Sequence, residues 1–234
     1  MLVSVIIGAL NEERYIATTL EGVRQQKTKH KIELIVGDGY SEDKTASIAK
    51  SYGARVVKEE RRSAAWERQA ACKVANGEVL AITDADAKLP QDWVQNIAAE
   101  FAADKSLVMV YGPVYFFDAS GWENKLSKVV MDIFISVSAL FGMHNPIGSN
   151  MAVRTKAFSK IRGFNTKLVT AEDLDLLKRI SKIGKVKYCS NVAVGVSSRR
   201  VKKWGYLRFA IFHMVNAFKF HLTGKAQKKY EPVR

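Results

Sequence analysis

Cysteine and proline are scarce in this chain, with two and four residues among 234. Cys72 and Cys189 are too few and too far apart for a disulfide framework, and neither is spaced with a histidine as zinc ligands would be, so a reducing, cytosolic compartment is expected. No uninterrupted apolar run reaches the roughly 18 residues that a membrane-spanning helix needs. The longest, residues 133–143, carries Ser136 and Ser138 and stops at His144-Asn145-Pro146. The apolar start, MLVSVIIGAL, has no basic leader or cleavage site and runs into Asn11-Glu12-Glu13, which suits a buried strand rather than a signal peptide. Two phosphate-binding fingerprints are missing: there is no G-x-G-x-x-G and no G-x-x-x-x-G-K-[ST], so any bound phosphate must be neutralised by other means. Acidic residues almost vanish after residue 198. From Arg199 onward ten Lys or Arg face Glu231 alone, and nine of the fourteen net positive charges therefore fall in that segment. Nucleic acid, an anionic membrane and a phosphorylated substrate all reward such clustering.

What is present is a globular composition, 47% hydrophobic and 26% charged, in a length suited to one α/β domain with an appendage. Short β-branched runs at residues 2–9, 32–36, 54–58 and 78–83 alternate with helical periodicity over 12–26, 44–52 and 64–75. Three such steps in succession predict a mostly parallel central sheet flanked by helices, with ligands at the carboxyl ends of its strands. After Pro90 a helix is expected over 91–102, one or two strands over 107–117, a long helix over 122–141, a strand at 151–154, a helix over 172–182, short strands near Val186 and Val194, and a terminal amphipathic helix over 203–222. The expected organisation is a domain over 1–198, divided into halves at residue 90, followed by a basic amphipathic segment over 199–234.

Two D-x-D triplets occur, Asp84-Ala85-Asp86 after the fourth strand and Asp173-Leu174-Asp175 within a helical segment. At an extended strand end residues i and i+2 share a side, whereas on a helix they diverge by about 200°, so the first pair can converge on one divalent cation and the second cannot. Glu172-Asp173 opens its helix, where the macrodipole favours carboxylates on structural grounds alone.

Taken together, Asn11-Glu12-Glu13 after the first strand, V-G-D-G-Y-S-E-D-K-T after the second, Asp84-Ala85-Asp86, and A-E-D-L-D-L near residue 173 resemble the inverting glycosyltransferases of family 2 with the GT-A fold. Order and spacing match over roughly residues 1–200. The resemblance implies that Ala9, Leu10, Glu12 or Glu13, and Asp38 line a nucleoside pocket, with Asp38 recognising the base. It implies that Asp86, with Asp84 beside it across Ala85, holds Mn²⁺ or Mg²⁺ against the donor diphosphate. Arg68 takes the place of an arginine in the family's A-R-N helix segment. Asp173, preceded by Glu172, takes the place of the catalytic base. Arg199, Arg200, Lys203 and Trp204 partly resemble the Q-x-x-R-W motif of processive members, with the cations set against diphosphate and the indole against the acceptor. His144 and Asn150 fall where the family builds its acceptor pocket. One departure is that the first strand ends in G-A-L-N, so Leu10 stands where many members stack a tyrosine on the base.

The resemblance implies a single GT-A-like domain that transfers a sugar from a nucleoside diphosphate to a lipid-linked or glycan hydroxyl. The rivals are a polyprenyl-phosphate sugar synthase and a nucleotidyltransferase, although the latter usually carries a basic glycine-rich loop where this chain has Asn11-Glu12-Glu13. A nucleic-acid binder would leave Asp38, Asp84, Asp86, Glu172 and Asp173 repelling phosphate, so nucleic acid is not an expected partner. Trp204, Leu207, Ile211, Met214 or Val215, Phe218 and Leu222 recur at helical spacing between basic clusters, which predicts peripheral docking on an anionic membrane at its cytoplasmic face.

Overall fold

The structure, a computed structural model, describes residues 1–119, 121, 122, 125, 129, 144–224, 226 and 227. The helix expected over 122–141 lies for the most part outside the described residues, as do Lys225, Lys228 and Lys229. In chain order the first half contains β1 (Leu2–Ala9), α1 (Ile16–Arg24), β2 (Lys31–Asp38), α2 (Thr45–Ser51), β3 (Arg55–Lys58), α3 (Ala64–Lys73) and β4 (Val79–Asp84). Then come β5 (Ala87–Lys88), α4 (Trp93–Ala103), β6 (Leu107–Tyr111), β7 (Val114–Phe116), β8 (Asn150–Arg154), α5 (Thr155–Lys160) and α6 (Glu172–Ile180). β9 (Lys185–Tyr188), β10 (Val194–Val196), α7 (Arg199–Trp204) and α8 (Tyr206–Thr223) complete the described elements.

Side chains alternate along a strand, and in β1 this sets the layering. Val3, Val5 and Ile7 enter one apolar core with Ile16 and Leu20 of α1, Ala49 of α2, and Trp93 and Ile97 of α4. Ile6 enters the other, with Ala71 of α3, Phe158 of α5, and Leu176 and Ile180 of α6. Each fully buried aliphatic side chain contributes about 1.5–3 kcal/mol, so a strand with two apolar faces is committed to the middle of a three-layer structure. The seven strands run β3-β2-β1-β4-β8-β6-β9. β1 to β4 are mutually parallel in their pairings, β8 is antiparallel to both its neighbours, and β6 and β9 are parallel. This is the mostly parallel, helix-flanked sheet that the alternating pattern predicts. A second sheet, β5-β10-β7, lies beyond the carboxyl end of β4.

Helix α3 crosses the ends of β1 and β2 at close range. A Cβ on Gly37 would run into the backbone carbonyl of Glu67, and one on Gly8 would press on the Arg68 side chain. The glycines that open G-A-L-N and G-D-G therefore admit the helix that brings Arg68 to the strand ends.

The chain departs from expectation at three places. α1 begins at Ile16, because Asn11, Glu12 and Glu13 are bonded to the loop after β2. α5 was not anticipated, since its six residues follow β8 without a break in the pattern. The terminal helix is divided at Gly205, whose φ of 82° no helical residue adopts. Beyond that break only Asn216 and Phe220 of α8 are buried, and Phe220 packs on Ala171 and Leu174. Leu207, Ile211, Met214, Val215, Phe218 and Leu222 are all exposed, Leu207 by 75%. No helix among the described residues is long and apolar enough to cross a membrane.

Gly37→Ala is expected to lower unfolding stability by about 1–3 kcal/mol through overpacking against α3, read as a reduced urea midpoint with an unchanged slope.

Candidate active site

The loops that follow β1 and β2 are stitched together before any ligand is considered. The Asn11 backbone N–H donates to Ser41 Oγ at 2.9 Å, Glu12 N–H to Thr45 Oγ1 at 2.7 Å, and Glu13 N–H to Asp43 Oδ2 at 3.1 Å. In return Glu42 N–H donates to Asn11 Oδ1 and Lys44 N–H to Glu13 Oε2. The S-E-D-K-T run is thus mainly a clasp, and the open choice between Glu12 and Glu13 separates. Glu13 is exposed and spent on the clasp, whereas Glu12 is buried and turned inward. Asp38, 1% exposed, accepts from Ser41 N–H through Oδ1, while its buried Oδ2 finds no partner among the described residues. A buried acceptor without a donor is costly, and a ligand N–H would satisfy it. Ala9 and Leu10 are buried beside it, Ala9 accepting from Gly39 N–H and Leu10 lying under Gly39.

Asp84 ends β4, and Ala85 and Asp86 form the turn into β5. Thr19 Oγ1 fixes that turn, accepting from Ala87 N–H at 2.9 Å and lying 2.8 Å from the carbonyls of Ala85 and Ala87. The small sheet then determines what meets Asp86. Val196 of β10 pairs with Ala87 of β5, which sets the start of α7 beside the D-x-D turn. Asp118, just after β7, holds that start, accepting from Ser198 N–H at 2.6 Å and Ser197 Oγ at 3.0 Å. Arg199 consequently reaches into the cleft, donating to both carboxylate oxygens of Glu12 at 2.8 and 2.6 Å, with its Nε 3.1 Å from Asp86 Oδ2 and its guanidinium over the Tyr15 ring at 4.7 Å. Burial, and next the charge of Asp84, push the Asp86 carboxyl well above its ordinary range.

On the opposite side Arg68 bridges Asp84 and Glu172, with Glu172 at 2.7 Å. Asp173 accepts from Gly148 N–H at 3.0 Å through Oδ2 and from Leu174 N–H at 2.8 Å through Oδ1. Burial, and next the charge of Glu172, raise its carboxyl to about 7. Asp175 turns away and pairs with Arg179 at 2.6 Å, the divergence expected of a D-x-D on a helix. The loop before β8 closes over this group, since Gly148 lies so near the Arg68 guanidinium that a Cβ there would collide with it.

Other expected site residues fall elsewhere. Asn150 is fully buried in the sheet, where its side chain accepts from Trp93 Nε1 and donates to the carbonyls of Pro113 and Val192. With every polar atom engaged it has nothing to offer an acceptor, and its role here is to join strands. His144 is half-buried and hydrogen-bonded through Nδ1 to the Tyr111 hydroxyl at 2.9 Å, with burial lowering its pKa. Trp204 packs edge-on against Phe212 of α8. Arg200 adds positive potential at Asp86, and Lys203 is exposed on α7. Asp118, Tyr15 and Thr19 are the residues that sequence reasoning missed.

Among the described residues no three His, Cys, Asp or Glu side chains converge on one point. Two aspartates supply hard oxygen donors, and their surroundings carry more carboxylates than arginines. That donor set fits Mg²⁺ or Mn²⁺ whose remaining ligands are phosphate oxygens and water.

A mostly parallel sheet with a D-x-D turn at its carboxyl edge, a buried unsatisfied aspartate two strands away at the end of β2, and a carboxylate pair linked to the turn through Arg68 defines a GT-A glycosyltransferase domain. The Glycosyl transferase family 2 model matches residues 4–162, and the chain belongs to that family. It is 26% identical over 182 residues to an uncharacterized glycosyltransferase of Methanocaldococcus jannaschii, covering 74% of this chain and 62% of the relative. Over 191 residues it is 27% identical to the beta-monoglucosyldiacylglycerol synthase of a Nostoc species, covering 76% and 41%. A mannosyltransferase from Pyrobaculum calidifontis, solved in complex with GDP-Man and Mn²⁺, shares the fold at TM-score 0.71 and 24% identity over 96% of this chain and 65% of that one. The chain thus spans less than two thirds of the length of each of these proteins.

Arg68 is 6% exposed and tied to two carboxylates, so Arg68→Met, which strands both charges, is expected to cost about 3–5 kcal/mol at neutral pH, measured by urea unfolding.

Proposed function

We propose that this chain is an inverting glycosyltransferase that moves a sugar from a nucleoside diphosphate donor to a hydroxyl of a lipid-linked or glycan acceptor at a membrane surface. The observation that carries this reading is the meeting of Asp38, Asp84, Asp86 and the Glu172-Asp173 pair at one end of the sheet. Asp38 Oδ2 would accept from a base N–H. A divalent cation held by Asp86 and Asp84 would neutralise the diphosphate as it gains charge. Arg199 and Arg200 would add positive potential on the same side. Asp173, aimed by the two backbone N–H groups, would take the proton of the acceptor hydroxyl while that oxygen bonds to the anomeric carbon. The bond from that carbon to the phosphate oxygen breaks on the opposite face, its electron pair leaving with the diphosphate, and the configuration inverts. Glu172, held by Arg68, would keep Asp173 in place.

Titration calorimetry against a panel of nucleoside diphosphates with Mn²⁺ or Mg²⁺ would test the donor half. Metal-dependent binding should appear for at least one nucleotide and vanish in Asp86→Ala. In transfer assays Asp173→Asn should lower kcat by about 10²- to 10⁴-fold with donor affinity retained. A base must be unprotonated, so with the Asp173 carboxyl raised to about 7 the wild-type rate should rise through neutral pH and level off above it. A kcat unchanged in Asp173→Asn would favour an acceptor that is already anionic, as in a polyprenyl-phosphate sugar synthase.

Support for the membrane comes from the exposed face of α8, accompanied by the exposed Lys202, Lys203, Arg208 and Lys219 with no acidic residue between positions 199 and 224. Each basic side chain near an anionic bilayer contributes about 1 kcal/mol, and the apolar side chains would enter the headgroup boundary. Binding to phosphatidylserine-containing vesicles should weaken with salt and be lost in Phe218→Glu/Leu222→Glu. Equal sedimentation with neutral vesicles would refute it.

A further inference from the structure

Asp84 and Asp86 each already hold a cation supplied by the protein, and the two cations differ in freedom. Arg68 is 6% exposed, enclosed by Gly8, Gly148 and α3, and bonded on one side to Asp84 and on the other to Glu172. It has no space to withdraw. Arg199 is more accessible, at 17%, and stands in the first turn of the six-residue α7. Its contact with Asp86 is a single one at 3.1 Å, while Glu12 takes two of its nitrogens and Tyr15 its face. A divalent ion on Asp86 and a guanidinium at that distance would compete for the same carboxylate.

We propose that Arg199 is a tethered stand-in for the metal: it caps Asp86 in the free enzyme and must leave that carboxylate before a cation can take it. This rests on the donor and metal assignment above. A planar guanidinium suits phosphate oxygens, so an arriving diphosphate draws Arg199 away from Asp86 at the moment it brings the cation in. Metal alone therefore binds weakly and metal with nucleoside diphosphate binds cooperatively, because each ligand removes the obstacle to the other. Arg68 has the opposite role and stays on Asp84 throughout, fixing one metal-facing carboxylate while the other changes partner.

The test is Mn²⁺ titration of the full chain, followed by the electron paramagnetic resonance of free Mn²⁺, with and without UDP or GDP. Without nucleotide, Arg199→Gln should bind Mn²⁺ roughly 5- to 100-fold more tightly than wild type, the span of an ordinary coupling between sites. The enhancement of Mn²⁺ affinity by nucleoside diphosphate should shrink by a similar factor. Arg199→Lys keeps the charge but cannot span Glu12 and Asp86 together, so it should fold as wild type does and fall between the two. Mn²⁺ affinity that is equal or weaker in both variants, with wild-type circular dichroism, would overturn the proposal. Absence of Mn²⁺ binding from all three proteins even with nucleotide would instead remove the metal assignment, and this proposal with it.

Discussion

Glu12, Asp84, Asp86, Glu172 and Asp173 crowd around two guanidinium groups at the carboxyl end of the sheet, and this excess of negative charge is the constraint on which the cleft depends. Taking carboxylates out of water without counter-charge costs several kcal/mol each, so the fold has to deliver arginines to them. It does so from two distant parts of the chain. Arg68 arrives on α3, which can lie this close to β2 only because Gly37 carries no side chain, while Gly8 leaves the Arg68 stem room beside β1. Arg199 arrives from 187 residues beyond Glu12, at the start of α7. Two paired guanidiniums, with Arg200 adding potential at Asp86, still face five carboxyl groups, and a nucleotide-bound metal ion would answer the remainder.

The small sheet is the device that closes this circuit. β5 is only two residues long, and taken alone it would be a weak element. Its value lies in register, because Val196 opposite Ala87 sets Arg199 beside Asp86, while Thr19 locks the intervening turn and Asp118 anchors the residues before Arg199. Residues of α1, β5 and the segments flanking β7 and β10 thus serve one ion pair. Asn150 belongs to the same framework, fastening the start of β8 to the chain segments around Pro113 and Val192.

Local chemistry was legible where it repeats. The β-branched runs of β1, β2 and β4, the helical spacing that buries Leu174, Leu177 and Ile180, and the divergence of Asp175 from Asp173 all follow from side-chain period, and the structure agrees with each. Long-range pairing left no such trace. Nothing near Arg199 distinguishes it from Arg200 until the β5–β10 register is known, and Asp118 is one acid in an unremarkable stretch. Asn150 was expected in the acceptor pocket only because Gly148-Ser149-Asn150 stands where the resembled family builds that pocket. Here strand pairing buries it, and the carbonyls of Pro113 and Val192 need its donors. The amphipathic stripe of α8 was visible from spacing, but which way it faced was not. Phe220 and Asn216 decide that by packing on the Thr170–Ala171 turn and Leu174, leaving the stripe outward.

Backbone strain follows the same geography. Four described non-glycine residues have positive φ: Asn11, Tyr40, Arg162 and Ala171. Three of them stand within two residues of a site carboxylate, Asn11 before Glu12, Tyr40 after Asp38 and Ala171 before Glu172. A left-handed conformation costs a non-glycine residue on the order of 1–3 kcal/mol, and it persists only where neighbouring contacts overdetermine it. Those contacts are present at all three, and at Tyr40 they are the bond from Arg62 to its carbonyl at 3.2 Å and Lys58 over its ring. Asn11 is held at both its backbone N–H and its side-chain oxygen by Ser41 and Glu42, and Ala171 is wedged beneath Phe220. Glycine would relieve the strain at each place and would also return to the chain the freedom that these turns remove. A carboxylate whose position matters gains from a rigid backbone beside it, and the strained residues next to Glu12, Asp38 and Glu172 supply one. Since α8 clamps the turn that launches Glu172 and Asp173, the helix bearing the outward apolar face also braces the carboxylate pair. Surface and cleft are in this way parts of one mechanical unit.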